Sequence, residues 1–374
     1  MRHAILTVGV LAAALATACH RNDNDAASTP PASSTMAGAP AAPSTMSPAA
    51  NATPPKADAQ MQAVLDQLAK LGGKPIETLT PDEARMQPSP ADAVKALLES
   101  QGKPTTPEPV AKVEDRTIPG AGGPIPIRIY TPEGKGPMPV VLYIHGGGWV
   151  IANLDTYDAS PRALANASGA IIVSTHYRQA PEHKFPAAHE DTLAAYKWVL
   201  ANAAKLGGDA KKIAVVGESA GGNMAADIAI AARDQKLQAP VHQVLVYPVA
   251  NNDMNSPSYV QNANAKPLNK PMMEWFVKHT FDNADQTADP RIAIAKRKDL
   301  AGVAPATIIL AEIDPLRSDG EALADALKAA GVDATVQKYD GVTHEFFGMG
   351  AAVDKAKDAE KFAGAQLKKA FATP

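Results

Sequence analysis

The ten residues from 213 to 222 constrain the fold more than any other stretch of the chain. Ile213-Ala214-Val215-Val216 is a short apolar run of strand character, a helical pattern occupies 222–233, and only Gly217-Glu218-Ser219-Ala220-Gly221 separates the two. Joining a strand to a helix in so few residues demands a sharp turn. Glycines on both sides let the two backbones approach without an intervening Cβ, which leaves Ser219 on a strained apex with its hydroxyl exposed.

Other apolar runs place this unit in a larger pattern. Short β-like segments at 125–130, 140–144, 171–175, 244–247, 307–311 and 334–338 alternate with helical stretches at 187–204, 321–330 and 355–371. That order predicts an α/β architecture: a mostly parallel central sheet flanked by helices. The length of 374 residues accommodates one large catalytic domain, 107–374, with further material before it. Met61, Val64, Leu65, Leu68 and Leu71, then Val94, Leu97 and Leu98, have helical spacing, so 58–106 is expected to hold short amphipathic helices that form a cap or cover a sheet face. A second cap insertion is expected at about 251–289, where Met272, Met273, Trp275 and Phe276 recur at a helical rhythm.

A second glycine motif, His145-Gly146-Gly147-Gly148-Trp149, directly follows the strand at 140–144. Consecutive glycines can aim main-chain N–H groups at an anion, so Gly147 and Gly148, with the Ala220 N–H, are the expected oxyanion donors. A serine hydroxyl needs a base and an orienting carboxylate. Among the histidines after Ser219, His344 follows a strand in a loop, whereas His242 enters a strand and His279 falls in the second cap segment, so His344 is the candidate base. Asp314, just beyond the strand at 307–311, is the best-placed acid, with Glu312, Asp319 and Asp340 as alternatives. Trp149, Trp275 and Phe276 are candidate substrate-binding residues, although such aromatics also serve packing.

With these residues in place, the chain resembles the hormone-sensitive-lipase-like branch of bacterial esterases, across about 118–371. The resemblance rests on His145-Gly146-Gly147-Gly148-Trp149, Tyr177-Arg178-Gln179-Ala180-Pro181-Glu182, Gly217-Glu218-Ser219-Ala220-Gly221-Gly222, Asp314-Pro315-Leu316-Arg317 and His344-Glu345-Phe346, in family order. It implies the α/β-hydrolase fold with a helical cap, a triad of Ser219, Asp314 and His344, and an oxyanion hole at the glycine loop. It further implies a small ester substrate, with short acyl chains expected, and no cofactor or metal. Four positions depart from the pattern: Glu218 stands for a frequent aspartate, His176 for an aspartate, Gln179 for a leucine and Glu345 for a glycine. An amidase with the same triad and a non-catalytic binding protein on this fold are the competing readings.

The net charge of −3 offers no concentrated basic surface for nucleic acid. The N-terminus reads as an export signal over 1–18: Arg2 and His3, an apolar run from 4 to 15, then Ala16-Thr17-Ala18 before Cys19, the chain's one cysteine. The run is shorter than the roughly 18 to 20 residues a membrane-spanning helix needs. Leu15-Ala16-Thr17-Ala18-Cys19 resembles a bacterial lipoprotein signal, which would place a lipid on Cys19 and anchor the protein to a membrane. The expected location is the periplasm or outer membrane as a lipoprotein, otherwise secreted. Residues 19–57, rich in Ala, Ser, Thr and Pro, read as a disordered tether.

Overall fold

The computed structural model describes residues 55–373; the expected signal peptide, Cys19 and the tether up to residue 54 lie outside the described residues. Helices α1 (Ala59–Lys70), α2 (Pro81–Arg85) and α3 (Pro90–Ser100) come first. Their starts follow from local chemistry. The Asp58 carboxylate accepts the Met61 N–H, while Thr80 with Glu83 and Ser89 with Asp92 form reciprocal capping boxes ahead of a proline at the first helical position.

The remaining chain alternates β1 (Lys112–Gly120), β2 (Gly123–Thr131), β3 (Met138–Ile144), α4 (Ala159–Ser168), β4 (Ile171–Thr175), α5 (Ala187–Asn202), β5 (Gly208–Glu218), α6 (Ala220–Asp234) and β6 (Gln243–Val246). It continues through α7 (Pro257–Gln261), α8 (Lys270–Thr280), β7 (Ala306–Ile313), α9 (Arg317–Ala329), β8 (Ala334–Thr343) and α10 (Asp354–Ala372). The eight strands form one sheet in the order β1-β2-β4-β3-β5-β6-β7-β8. β1, β2 and β4 pair antiparallel, and every pairing from β4 through β8 is parallel.

Side-chain alternation along the strands divides the core into two layers. Val140, Leu142 and Ile144 of β3 face a cluster with Met224 and Ile228 of α6 and Leu323 of α9. Val141 and Tyr143 face the opposite cluster, with Leu164 of α4 and Ala363 and Leu367 of α10. Met61 and Val64 of α1 and Val94 and Leu98 of α3 join this second layer, so these helices cover a sheet face.

The other expected cap segment supplies α7 and α8. The Trp275 indole N–H of α8 donates to the Leu79 carbonyl at 3.0 Å, tying α8 to the turn before α2. Arg85 fastens α2 to the catalytic side: its Nε donates to Val150 O at 2.9 Å, its Nη2 to Ala180 O at 2.9 Å, and both terminal nitrogens meet Glu182 at 2.7 Å. Among the described residues no helix is long and apolar enough to cross a membrane.

Candidate active site

The strand-to-helix turn explains both its glycines. A Cβ on Gly217 would stand 2.1 Å from the Gly221 carbonyl oxygen, and one on Gly221 would stand 2.1 Å from the Ile144 carbonyl oxygen. No larger residue fits at either place. Ser219 itself has φ 55° and ψ −118°, a conformation that costs a non-glycine residue on the order of 1–3 kcal/mol. It is held there by its own backbone: Ser219 N–H donates to Val246 O at 2.9 Å, and Ser219 O accepts from Asn223 at 3.1 Å and Val249 at 3.2 Å.

β8 runs to Thr343 and delivers His344 to this turn. His344 Nε2 lies 3.0 Å from Ser219 Oγ, and His344 Nδ1 lies 2.8 Å from Asp314 Oδ2. Asp314 is fully buried beyond the end of β7, and its other oxygen accepts the Leu316 N–H at 2.8 Å. The alternative acids have other partners. Glu312 accepts the Gly341 N–H at 2.7 Å, Asp319 accepts those of Ala250 and Asn251 at 3.1 and 3.0 Å, and Asp340 pairs with Lys338 at 2.7 Å. His242 meets the Thr307 hydroxyl at 2.8 Å and His279 packs on Trp275, so neither approaches Ser219.

Burial alone would disfavour the His344 imidazolium, but the Asp314 charge and hydrogen bond, reinforced by Glu345 and Glu218, outweigh it and raise the His344 pKa above its ordinary value. The ring packs on Tyr247 at 4.3 Å between centroids, which fixes its plane.

The glycine loop lies beside this line of side chains. Gly147 and Gly148 have φ +93° and +57°, and a Cβ on Gly148 would penetrate the Phe276 ring at 2.3 Å. Among the described residues, the N–H groups of Gly147, Gly148 and Ala220 donate to no other backbone group outside regular elements. Gly147 and Gly148 line the cavity described below, and Ala220 directly follows Ser219 at the start of α6.

Two of the family departures brace this loop. His145 Nε2 is 3.0 Å from His176 Nδ1, and His145 Nδ1 is 2.9 Å from the Gly146 carbonyl. Burial, with His176 beside it, lowers the His145 pKa to about 3, so the ring is neutral and donates from Nδ1 while accepting from His176. Tyr177 adds an O–H to Gly146 O at 2.8 Å, and Gln179 Nε2 donates to Ile151 O and Ala152 O at 2.7 and 2.9 Å.

Glu218, the third departure, is buried directly before the nucleophile and accepts the hydroxyls of Tyr143 and Tyr247. Burial pushes its pKa up to about 7, against the pull of those donors.

Ser219 and His344 open onto a cavity of about 600 Å³. Its walls come from both expected cap segments and from the catalytic side: Ile76 and Arg85, then Leu268, Met272 and Phe276, then Gly147, Gly148 and Val249. Phe276 thus lies where a substrate-binding residue should. Trp149 and Trp275 do not line this cavity, contrary to expectation. Trp149 turns away to pack on His189 and edge-on to Phe281, and Trp275 spends its polar edge on Leu79 O. Residues not singled out for the site, Arg85, Tyr157, His176, Gln179 and Glu345, also face the cavity. Only His176, Gln179 and Glu345 carried a signal, as departures from the family pattern.

Comparison with known proteins agrees with this geometry. Residues 141–348 match a family model described as alpha/beta hydrolase fold. Carboxylesterase NlhH of Mycobacterium tuberculosis is 40% identical over 287 residues, 75% of this chain and 89% of that protein. Ethyl acetate hydrolase of Pseudomonas putida is 34% identical over 288 residues, 76% of this chain and 88% of that protein. The solved hyperthermophilic esterase of Pyrobaculum calidifontis superposes with a TM-score of 0.76 at 39% identity, covering 84% of this chain and 98% of that one. The mostly parallel sheet, and a likeness to esterases that spans nearly their whole length, assign the chain to the α/β-hydrolase family, in its hormone-sensitive-lipase-like branch of carboxylic ester hydrolases.

Proposed function

We propose that the protein hydrolyses small apolar carboxylic esters through an acyl-serine intermediate on Ser219. The observation that carries this reading is the unbroken line from Asp314 Oδ2 to His344 Nδ1 at 2.8 Å and from His344 Nε2 to Ser219 Oγ at 3.0 Å, open to the cavity. His344 removes the Ser219 proton as Oγ attacks the ester carbonyl carbon. The negative charge that develops on the carbonyl oxygen is met by the N–H groups of Gly147, Gly148 and Ala220. His344, now an imidazolium stabilised by Asp314, protonates the leaving alkoxide oxygen. The alcohol departs, and water completes the cycle by the reverse proton path.

The apolar walls at Ile76, Leu268, Met272, Phe276 and Val249 support small apolar acyl or alcohol groups, and short chains are in keeping with a relative that is an ethyl acetate hydrolase. A rate series of p-nitrophenyl esters from acetyl to long acyl chains, with matched amides, tests the reading. Turnover should peak at short chains, amides should be much slower, and Ser219→Ala should abolish ester turnover. A preference for long chains or amides contradicts the substrate assignment. Unchanged turnover by Ser219→Ala contradicts the mechanism.

The signal at 1–18 and Cys19 supports an exported protein anchored by a lipid on Cys19. Fractionation of cells carrying Cys19→Ser tests this: release from the membrane fraction is expected, and unchanged partitioning contradicts lipid attachment.

A further inference from the structure

Glu345 occupies a position that its backbone does not favour. It has φ +69°, a left-handed conformation that glycine adopts freely and glutamate does not, and it stands where the family pattern often has glycine. Such a conformation persists only where the surrounding structure holds it. Its carboxylate is held by Tyr157, whose hydroxyl lies 2.7 Å from both Oε1 and Oε2. That contact fixes the carboxylate plane against the cavity wall. Oε1 is 3.8 Å from His344 Nε2, the nitrogen that also faces Ser219 Oγ at 3.0 Å. The Glu345 side chain keeps 22% of its surface open and lines the cavity.

A separation of 3.8 Å is too long for a good direct hydrogen bond but well short of two hydrogen bonds laid end to end, about 5.6 Å. The spacing is therefore within reach of one water molecule bonded to both Nε2 and Oε1 once Ser219 Oγ carries the acyl group. A carboxylate oxygen accepts more than one hydrogen bond, so the Tyr157 contact does not block it. This matters for the second half of the reaction. Water brings two hydrogens to the acyl-enzyme, whereas an alcohol brings one.

We propose that Glu345 holds the attacking water during deacylation and so favours water over alcohols as the acyl acceptor. This rests on the acyl-serine reading given above. In the step, the water oxygen bonds to the acyl carbon and one of its hydrogens passes to His344 Nε2. The other hydrogen stays bonded to oxygen and points to Glu345 Oε1. The tetrahedral intermediate then breaks its bond to Ser219 Oγ, which takes the proton from Nε2, and the carboxylic acid leaves. An alcohol uses its only hydroxyl hydrogen on His344 and gains nothing from Glu345. Burial, with the Asp314 charge, raises the Glu345 pKa above its ordinary value, and His344 and the Tyr157 hydroxyl offset this only in part; a carboxyl oxygen accepts the water's hydrogen in either protonation state.

The test is a product ratio. p-Nitrophenyl butyrate is turned over in buffer containing methanol, and butyric acid and methyl butyrate are quantified for wild type, Glu345→Gly and Glu345→Gln. The ratio reads the competition after acylation whichever step limits the rate. Glu345→Gly suits the left-handed backbone; Glu345→Gln is isosteric and carries the same measurement if the glycine variant does not fold. Loss of the carboxyl hydrogen-bond acceptor should lower the acid-to-ester ratio about tenfold in Glu345→Gly and less in Glu345→Gln. Labelling of Ser219 by a fluorophosphonate, a step that uses no water, is followed alongside, because loss of the Glu345 carboxylate also changes the field at His344. An unchanged ratio, with or without a fall in total rate, overturns the proposal and leaves Glu345 a structural role. If wild-type protein gives neither methyl butyrate nor labelled Ser219, it is the acyl-serine reading that fails.

Discussion

Substituting Gly148 by alanine should disable the site by displacement rather than by loss of any reacting group. The added Cβ would lie 2.3 Å from Cγ and Cδ1 and 2.6 Å from Cδ2 of Phe276, whereas carbon atoms in contact sit about 3.5–4.0 Å apart. More than about 1 Å of separation must open between the loop and α8. Phe276 is packed in the core and cannot simply swing away, so much of the shift falls on the loop that carries the Gly147 and Gly148 N–H groups. Misplacement by about 1 Å costs on the order of 10² in rate. Overpacking should also lower stability by about 1–3 kcal/mol. Phe276→Ala removes the obstacle, at a stability cost of roughly 3 kcal/mol or more that calls for assays well below the melting temperature. Values of kcat/KM for p-nitrophenyl butyrate across Gly148→Ala, Phe276→Ala and the double variant form a complete cycle. The double variant should recover at least about tenfold of the loss in Gly148→Ala, since the two sites couple through one contact. Wild-type activity in Gly148→Ala, or strictly additive losses in the double variant, would show that the contact with Phe276 does not position the loop.

Asp314→Asn should lower kcat by roughly 10⁴ with little change in KM, measured by steady-state kinetics, because an amide cannot stabilise the imidazolium. Catalysis needs neutral His344, whose pKa is raised above 6.5, so kcat/KM should climb with pH along a limb centred above that value; a limb centred well below it contradicts the electrostatics. Glu218 binds its proton more tightly folded, with a pKa of about 7 against an ordinary 4.5. Its contribution to stability is therefore full below about pH 4.5 and lost as pH rises through about 7, and thermal melts should show wild type losing ground to Glu218→Gln across that window. Arg85→Ala removes the bonds to Val150 O, Ala180 O and Glu182, and hydrogen exchange in α2 and the 147–152 turn should quicken, while unchanged exchange would show that the clasp is redundant.

The parallel strands were legible because they are apolar on both faces and short; predicted and observed centres agree to within one residue for β3, β4, β6 and β7. β1 was not, because it is an edge strand in which Ile118 alone is buried, so its sequence alternates with no apolar periodicity. The helix α4 was also missed: Ala159-Ser160-Pro161-Arg162 mixes a helix start with residues that read as a turn, and small side chains do the packing. β8 extends five residues past the expected end through Asp340-Gly341, a pair that signals a turn in isolation but here pairs along β7 with a register shift near Ala311 and Ile313. Ser219, Asp314 and His344 could be singled out because each follows a strand that the apolar pattern marks, and the structure brings their side chains within hydrogen-bond distance. Tyr157 and Glu345 were not paired in advance, being 188 residues apart and joined only by the fold. Trp149 and Trp275 were misplaced for a related reason: bulk and spacing identify an aromatic as buried without saying which wall it faces.

In the proposed reaction Ser219 is the nucleophile, with His344 Nε2 3.0 Å from its hydroxyl oxygen. A fluorophosphonate reacts only with a serine whose hydroxyl is already so activated, which makes peptide mapping of its adduct the most direct measurement. A single adduct on Ser219, formed in step with loss of esterase activity and absent from folded Ser219→Ala, is the predicted result. Labelling at another residue, or full activity in protein whose Ser219 is completely modified, would contradict it.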